Sequence, residues 1–433
     1  MDKYIGNKKT IVDGIYRFML DNNITSGLFV DAFSGTTNVS QFFKQQGFSV
    51  ICNDINEFSY ILGKVYIENN TFPKFTKLLK ELYKHDFSPK HDEILAMKHY
   101  IKGKIESDKL FPYDYYRSIG YDERIEPLLI VIHYLNQLQL SNLSSEELVF
   151  FNYYTVEGAN STYISSRGTS GSRNYFSSNN AKKIGKILST IKHWKSANLI
   201  SEMEFNILLA CLIEEVTLNA NVNGTFHDFN RHKLYPNAVS ELKLKPIMLN
   251  IQPAKGRVFK VYKTDANQLK YDPGFLAILQ KFDSSTLYID PPYNFRQYSA
   301  YYHMLNFIAK FHNIENIIEY AEGFEYVRGQ NMTDNFNSDY CYKEHFTSAL
   351  SDLINGIETD NVIISYYDEN NHWNHGKKVL SLEGRTAIIS ILNSIDRFNN
   401  VLQTPYIIPR LNYQSRSGEH KKQVDELLFF ARR

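Results

Sequence analysis

Three cysteines in 433 residues, Cys52, Cys211 and Cys341, are too few and too scattered for a disulfide framework or a thiolate metal cluster, so a reducing compartment is expected. Long apolar runs are missing too. The best candidate, "FNILLACLI", stops at Glu214 and Glu215, short of the ~18 residues a membrane span needs. The opening "MDKYIGNKKT" has no apolar signal core, and a cytoplasmic location away from membranes is expected. Neither sign of charge dominates, with 48 Lys and Arg against 47 Asp and Glu. Any polyanion must therefore be met by local patches. The chain also lacks G-x-G-x-x-G, a Walker loop and G-x-S-x-G, which weakens pyrophosphate-cradle, P-loop and triad-hydrolase readings. "HDFNRH" and "HWNH" lack zinc spacing, so no metal is expected.

With 43% hydrophobic residues the chain can bury a large core, and its length suits two domains or one elaborated domain. "GLFVDAFSGTTNVSQFFKQQGFSVICND" reads as a β-α-β unit. Leu28 to Val30 make a strand ending in Asp31, Gly35 permits a tight turn, "NVSQFFKQQ" is amphipathic, and "FSVICND" is a second strand. It ends in Asp54, 23 residues after Asp31, near the spacing at which an acid holds ribose hydroxyls in mononucleotide-binding units. With Gly35 alone in "DAFSGTTNVS", the turn suits an adenosine joined to a small zwitterion, whose carboxylate faces a helix N-terminus.

"TLYIDPPYNF" raises a sharper question, because its apolar strand stops in an acid, two prolines and an aromatic. Pro291 and Pro292 lack the N–H that would continue a ladder, which leaves the Asp290 carboxylate at the strand's C-terminal edge, where open α/β sheets bind ligands. An aromatic exocyclic amine is a poor nucleophile, since its lone pair is delocalised into the ring. Asp290 can accept one amine hydrogen and the Pro291 carbonyl the other, and both contacts strengthen as positive charge develops on nitrogen. Tyr293 would stack on the ring of a base that has left its duplex.

Between these motifs the chain turns helical, and a basic segment follows. From Gly158 to Ser201 there is no acid, while Arg167, Arg173, Lys182, Lys183, Lys186, Lys192 and Lys195 are positive. Its Ser, Gly and Asn-rich loop carries Tyr163, Tyr175 and Phe176, a mixture that suits phosphate and base contacts. Lys182, Lys183 and Lys186 are expected on phosphates, with Arg167 or Arg173 reaching guanine edges. Residues 1–65 and 246–433 are read as one discontinuous domain, 66–245 as a helical and basic insertion, and 299–350 as a smaller insertion.

"KYIGNKK", "DAFSGT" with "CND", and "YIDPPYN" occur in this order, followed by "NVIISYYDEN" and "KKQVDELLFF". In these the chain resembles the alpha-class adenine-specific DNA methyltransferases, the DNA adenine methylase family. The resemblance implies a Rossmann-like sheet with an inserted target-recognition region, S-adenosylmethionine as methyl donor, double-stranded DNA as substrate and base flipping. By motif, Tyr4 and Lys8 lie near the cofactor or the base, Phe33, Ser34, Gly35 and Thr36 line its methionine end, and Asp54 holds the ribose. Asp31, Ile55 and Asp290 complete this set, with Asp265 in "VYKTDA" near the adenine. Thr37 stands where family members often carry a glycine or another small residue. The expected enzyme is a monomeric modification methyltransferase, with room for a separately acting restriction endonuclease. Methylation of the cytosine amine, or an inactive DNA-binding protein of the same fold, are the alternatives.

Overall fold

In a computed structural model of the chain, the described residues are 4, 6–107, 113–369, 371–374, 380–411 and 423–433. Lys3 and Ile5 of "KYIGNKK", His375 of "HWNH" and the two lysines that open "KKQVDELLFF" lie outside them. The chain divides into two compact units, one of residues 64–251 and 302–335, the other of residues 2–63, 252–301 and 336–433.

The second unit is a Rossmann-like α/β sheet. Numbered in chain order, its strands are β1 (Leu28–Asp31), β2 (Ser49–Asn53), β5 (Phe259–Tyr262), β6 (Ser285–Ile289), β9 (Asn361–Tyr367), β10 (Asn400–Val401), β11 (Tyr406–Leu411) and β12 (Gln423–Arg432). They lie in the order β10-β12-β9-β6-β1-β2-β5, and β11 also pairs with β12. The pairs from β5 to β9 are parallel. β12 runs antiparallel to β9, β10 and β11. Chain order reverses between β1 and β6, so their C-terminal ends flank the switch point where such sheets bind ligands.

Both faces of the central strands are buried, which explains their near-continuous apolar runs. Alternate residues go to opposite sides. Leu28, Val30, Leu287 and Ile289 pack into one core with Phe346, Leu350 and Leu353 of the helix Lys343–Gly356. On the other face Phe29 stacks on Phe43 of helix α2 (Asn38–Gln45), with ring centroids 4.0 Å apart. Phe18 of helix α1 (Val12–Asp21) meets the Phe430 ring edge-on.

The first unit is mainly helical. Its helix Ser178–Ser196 starts at a Ser177 cap and buries Ala181, Ile184, Leu188 and Ile191 at helical spacing. The helix Glu202–Asn219 opens with a capping box between Ser201 and Glu204. This helix is buried on nearly every side, which accounts for the run "FNILLACLI". Gly185 is needed because a Cβ there would sit 1.9 Å from the Glu147 carbonyl oxygen. The hairpins β3 (Thr162–Ile164) with β4 (Ser170–Ser172), and β7 (Phe324–Glu325) with β8 (Gln330–Asn331), complete the unit.

Residues 299–350, expected as a single insertion in the sheet domain, are split. Residues 302–335 group with the helical unit, where Phe307 stacks on Phe150 at 4.9 Å, while the helix Lys343–Gly356 covers the sheet. The cuts at 63 and 251 stand where the sequence suggested 65 and 245.

Candidate active site

β1, β2 and β6 each deliver an acid to the C-terminal edge of the sheet. Asp31 ends β1, while Asp54 and Asp290 lie at or just beyond the ends of β2 and β6. All three line one pocket of about 980 Å³ of empty space, its mouth included, which also takes in Tyr4 and Lys8. Phe33 to Thr36, Ile55, Asp265 and Pro291 to Tyr293 line it too, so every expected cofactor and catalytic residue converges here.

Turn geometry explains the cofactor-loop sequence. Gly35 has φ +48°, and an added Cβ would meet the Tyr4 ring at 3.0 Å, so any other residue there is both strained and tight against Tyr4. Thr37 has φ +62°, a left-handed conformation that glycine adopts freely and a β-branched residue rarely does. The Gly35 amide donates to Asp54 Oδ2 at 2.8 Å, and the Asn56 amide and side chain both donate to Oδ1 at 2.9 Å. Asp54 thus ties the loop to the end of β2. Its remaining lone pairs can accept hydroxyl donors. Burial raises its pKa against these amide contacts.

Asp31 is nearly inaccessible. Ser40 Oγ donates to its Oδ2 at 2.7 Å, whereas the buried Oδ1 makes no hydrogen bond. Burial raises the carboxyl to about 7, and the like charges of Asp290 and Asp54 add to the rise. A buried acceptor without a donor is costly. Such an oxygen suits a positively charged donor.

Asp290 lies 3.1 Å from Lys8 Nζ. Burial lifts its carboxyl to about 6 against the pull of that ammonium, and the nearby Glu426 charge pushes the same way as burial. Behind it Tyr293 meets Tyr366 edge-on at 5.5 Å, and its carbonyl accepts from the His372 amide at 3.0 Å. Asp265 is half-buried and caps the turn Ala266–Tyr271 through the Asn267 amide.

Several pocket residues escaped the sequence. Asn53 Nδ2 donates to the carbonyls of Ala32 and Thr264, and its Oδ1 accepts from the Thr264 amide, so it stitches three strand ends together. Tyr340 packs edge-on against Phe33 at 5.0 Å. Phe336 is held by Ser299, whose hydroxyl donates to its carbonyl at 2.7 Å. Glu426 and Arg410 lie behind Lys8. The DPPY sequence gave the first strand edge, but no spacing signal links these distant positions to it.

The basic segment is less available than its composition suggests. Arg173 is buried and donates to the carbonyls of Asn160, Tyr326 and Val327, so its fork is spent on backbone. Lys183 is buried on Glu241, and Lys186 pairs with Glu147 at 2.8 Å. Lys192 and Lys195 pair with Glu146 and Glu202. Acids supplied from outside the segment thus pair with four of its seven positive side chains. Of the expected DNA contacts, Arg167 is exposed in the β3–β4 connection, and half-exposed Lys182 lies over the Phe151 ring. Among the described residues no cluster of His, Cys, Asp or Glu suits a metal ion, and no helix is long and apolar enough to cross a membrane.

Residues 4–162 and 153–352 match the family described as D12 class N6 adenine-specific DNA methyltransferase. The chain is 28% identical over its whole length to the modification methylase StsI of Streptococcus sanguinis, covering 52% of that protein. It is 30% identical over 98% of its length to the type II methyltransferase M.FokI of Planomicrobium okeanokoites, covering 51% of it. Against M.NlaIII of Neisseria lactamica the identity is 25%, over 84% of this chain and 83% of the relative. The chain therefore spans about half the length of the first two.

Proposed function

The chain belongs to the D12 class N6 adenine-specific DNA methyltransferase family, and from that premise we propose that it moves a methyl group to the N6 amine of adenine in duplex DNA, as an alpha-class modification enzyme of a restriction-modification system. The observation that carries this reading is the partly buried Asp290 carboxylate at the β6 edge, held by Lys8 and lining the pocket that Asp31 and Asp54 share. S-adenosylmethionine would supply an electrophilic methyl group. The residues present fit it: the unpartnered Asp31 Oδ1 suits an ammonium, the Gly35 turn leaves backbone accessible, and Asp54 has lone pairs for hydroxyls. Tyr4, Phe33, Ser34, Thr36, Ile55 and Asp265 complete that wall.

Asp290 accepts one hydrogen of the adenine amine, and the Pro291 carbonyl accepts the other. This pulls the nitrogen toward a pyramidal geometry and frees its lone pair. The contacts gain strength as the nitrogen becomes positive, which lowers the barrier rather than the ground state. Pro292 stiffens the turn, and Tyr293, braced by Tyr366, stacks on the base. Target recognition falls to the helical unit, with Arg167 and Lys182 as its DNA-facing cations. Asp290→Asn tests the assignment. Incorporation of labelled methyl into DNA should fall by ~10²–10³, while S-adenosylhomocysteine still binds. A near wild-type rate would remove Asp290 from the reaction.

A further inference from the structure

Glu426 on β12 has no exposed surface, yet three donors converge on its carboxylate. Lys8 Nζ reaches Oε1 at 2.5 Å, Ser365 Oγ reaches the same oxygen at 2.6 Å, and Arg410 Nε reaches Oε2 at 2.8 Å. Lys8 is therefore shared between two carboxylates and lies closer to Glu426 than to Asp290, which it meets at 3.1 Å. A buried ion pair needs only one partner to compensate a lysine, and a second buried carboxylate adds desolvation cost. Neutralising Asp290 alone would require Lys8 and nothing behind it.

We propose that Glu426 is a positioning residue that draws Lys8 back from Asp290, so that the Asp290 carboxylate keeps its acceptor strength for the amine hydrogen. The proposal rests on the methyl-transfer reading. Charged and titratable groups face this site from several elements: Lys8 from the N-terminal segment, Asp31 from β1, Tyr288 and Asp290 from β6 and its end, and Tyr293 and Tyr298 from the following loop. Tyr367 comes from β9, Arg410 from β11 and Glu426 from β12. Removing the Glu426 charge deletes a like charge near Asp290 and releases Lys8 toward it. Both changes favour the ionised Asp290. They also tie it more tightly to Lys8.

Glu426→Gln should therefore slow transfer by about 10- to 100-fold, by analogy with the outer-shell partners that orient metal ligands, while moving the acid limb of the pH–rate profile to lower pH. Binding of S-adenosylhomocysteine, measured by calorimetry, should stay within about twofold, because a positioning effect acts on the amine side of the pocket. Glu426→Asp keeps the charge but retracts the carboxylate, so its acid limb should stay near wild type with an intermediate rate. Should Glu426→Gln fold poorly, Glu426→Asp and carboxyl NMR of the Asp290 titration in whatever folded fraction remains still decide the matter. An unchanged rate and acid limb in folded Glu426→Gln would overturn the proposal, as would a slower rate with an unmoved limb, the mark of a purely structural role. A wild-type chain that transfers no methyl would overturn the methyl-transfer reading instead. The NMR titration would then decide the Lys8 network alone, with Asp290 ionising at lower pH in Glu426→Gln as the expected result and an unmoved titration as the overturning one.

Discussion

Asp31 is buried and Asp290, on the adjacent strand, partly so; desolvation raises both carboxyls, but their substitutions should act differently. Asp31 shifts from 3.8 to about 7 on folding. A folded-state pKa above the unfolded value destabilises the protein where the group is ionised. The penalty is absent below about 4, grows between the two values and is complete above about 7. Asp31→Asn should therefore stabilise the fold by on the order of 2–4 kcal/mol at pH 8, and the gain should shrink as the pH falls toward 4. Thermal melting across pH checks this. Cofactor-analogue affinity should fall in the same variant, since the acceptor for an ammonium is gone. An acid-labile Tm advantage without loss of affinity would place the cofactor's charge elsewhere. For Asp290, the ionised form is the acceptor, so methyl transfer should decline as the pH falls through about 6. A pH–rate profile flat from pH 5 to 8 would contradict that role.

At the scale of elements, the loop after β1 and the hairpin β3–β4 were legible to different degrees. A strand, a single glycine and an amphipathic helix are local signals, so "FVDAFSGT" was placed correctly at the sheet edge. Gly35→Ala should weaken S-adenosylhomocysteine binding at least tenfold, because its Cβ would meet Tyr4 and its φ is positive. Calorimetry reads this directly, and unchanged affinity would detach the turn from the cofactor. The lysine-rich segment misled for a physical reason: charge along a sequence says nothing of which acids fold against it. Lys183 and Lys186 found Glu241 and Glu147, and Arg173 found carbonyls of the loop 326–329. Arg173→Ala should consequently destabilise the helical unit by about 2–4 kcal/mol by leaving buried carbonyls unpaired. Arg167→Ala should leave Tm unchanged and weaken DNA binding in a salt-dependent way. Melting and mobility-shift titrations separate the two, and the reverse pattern would exchange their roles.

Across the whole molecule, motif order was enough to anticipate a Rossmann-like sheet with "DPPY" at a strand's C-terminal edge, whereas the pairing of the "DAFSGT" and "DPPY" strands as parallel neighbours emerges only in the fold. The ends of the chain were harder. Glu426 reaches Lys8 across 418 residues, and "DELLFF" alone reads as another buried strand. Residues 302–335 were equally opaque, because their grouping depends on aromatic contacts such as Phe307 on Phe150. The measurement that bears most directly on the function is the identity of the modified nucleoside. DNA incubated with the purified chain and S-adenosylmethionine carrying a labelled methyl group should be digested and separated by mass-resolved chromatography. The expected product is labelled N6-methyl-2′-deoxyadenosine, lost in Asp290→Asn; label on the cytosine amine, or none on DNA from an enzyme that binds the cofactor, would contradict adenine N6 methylation.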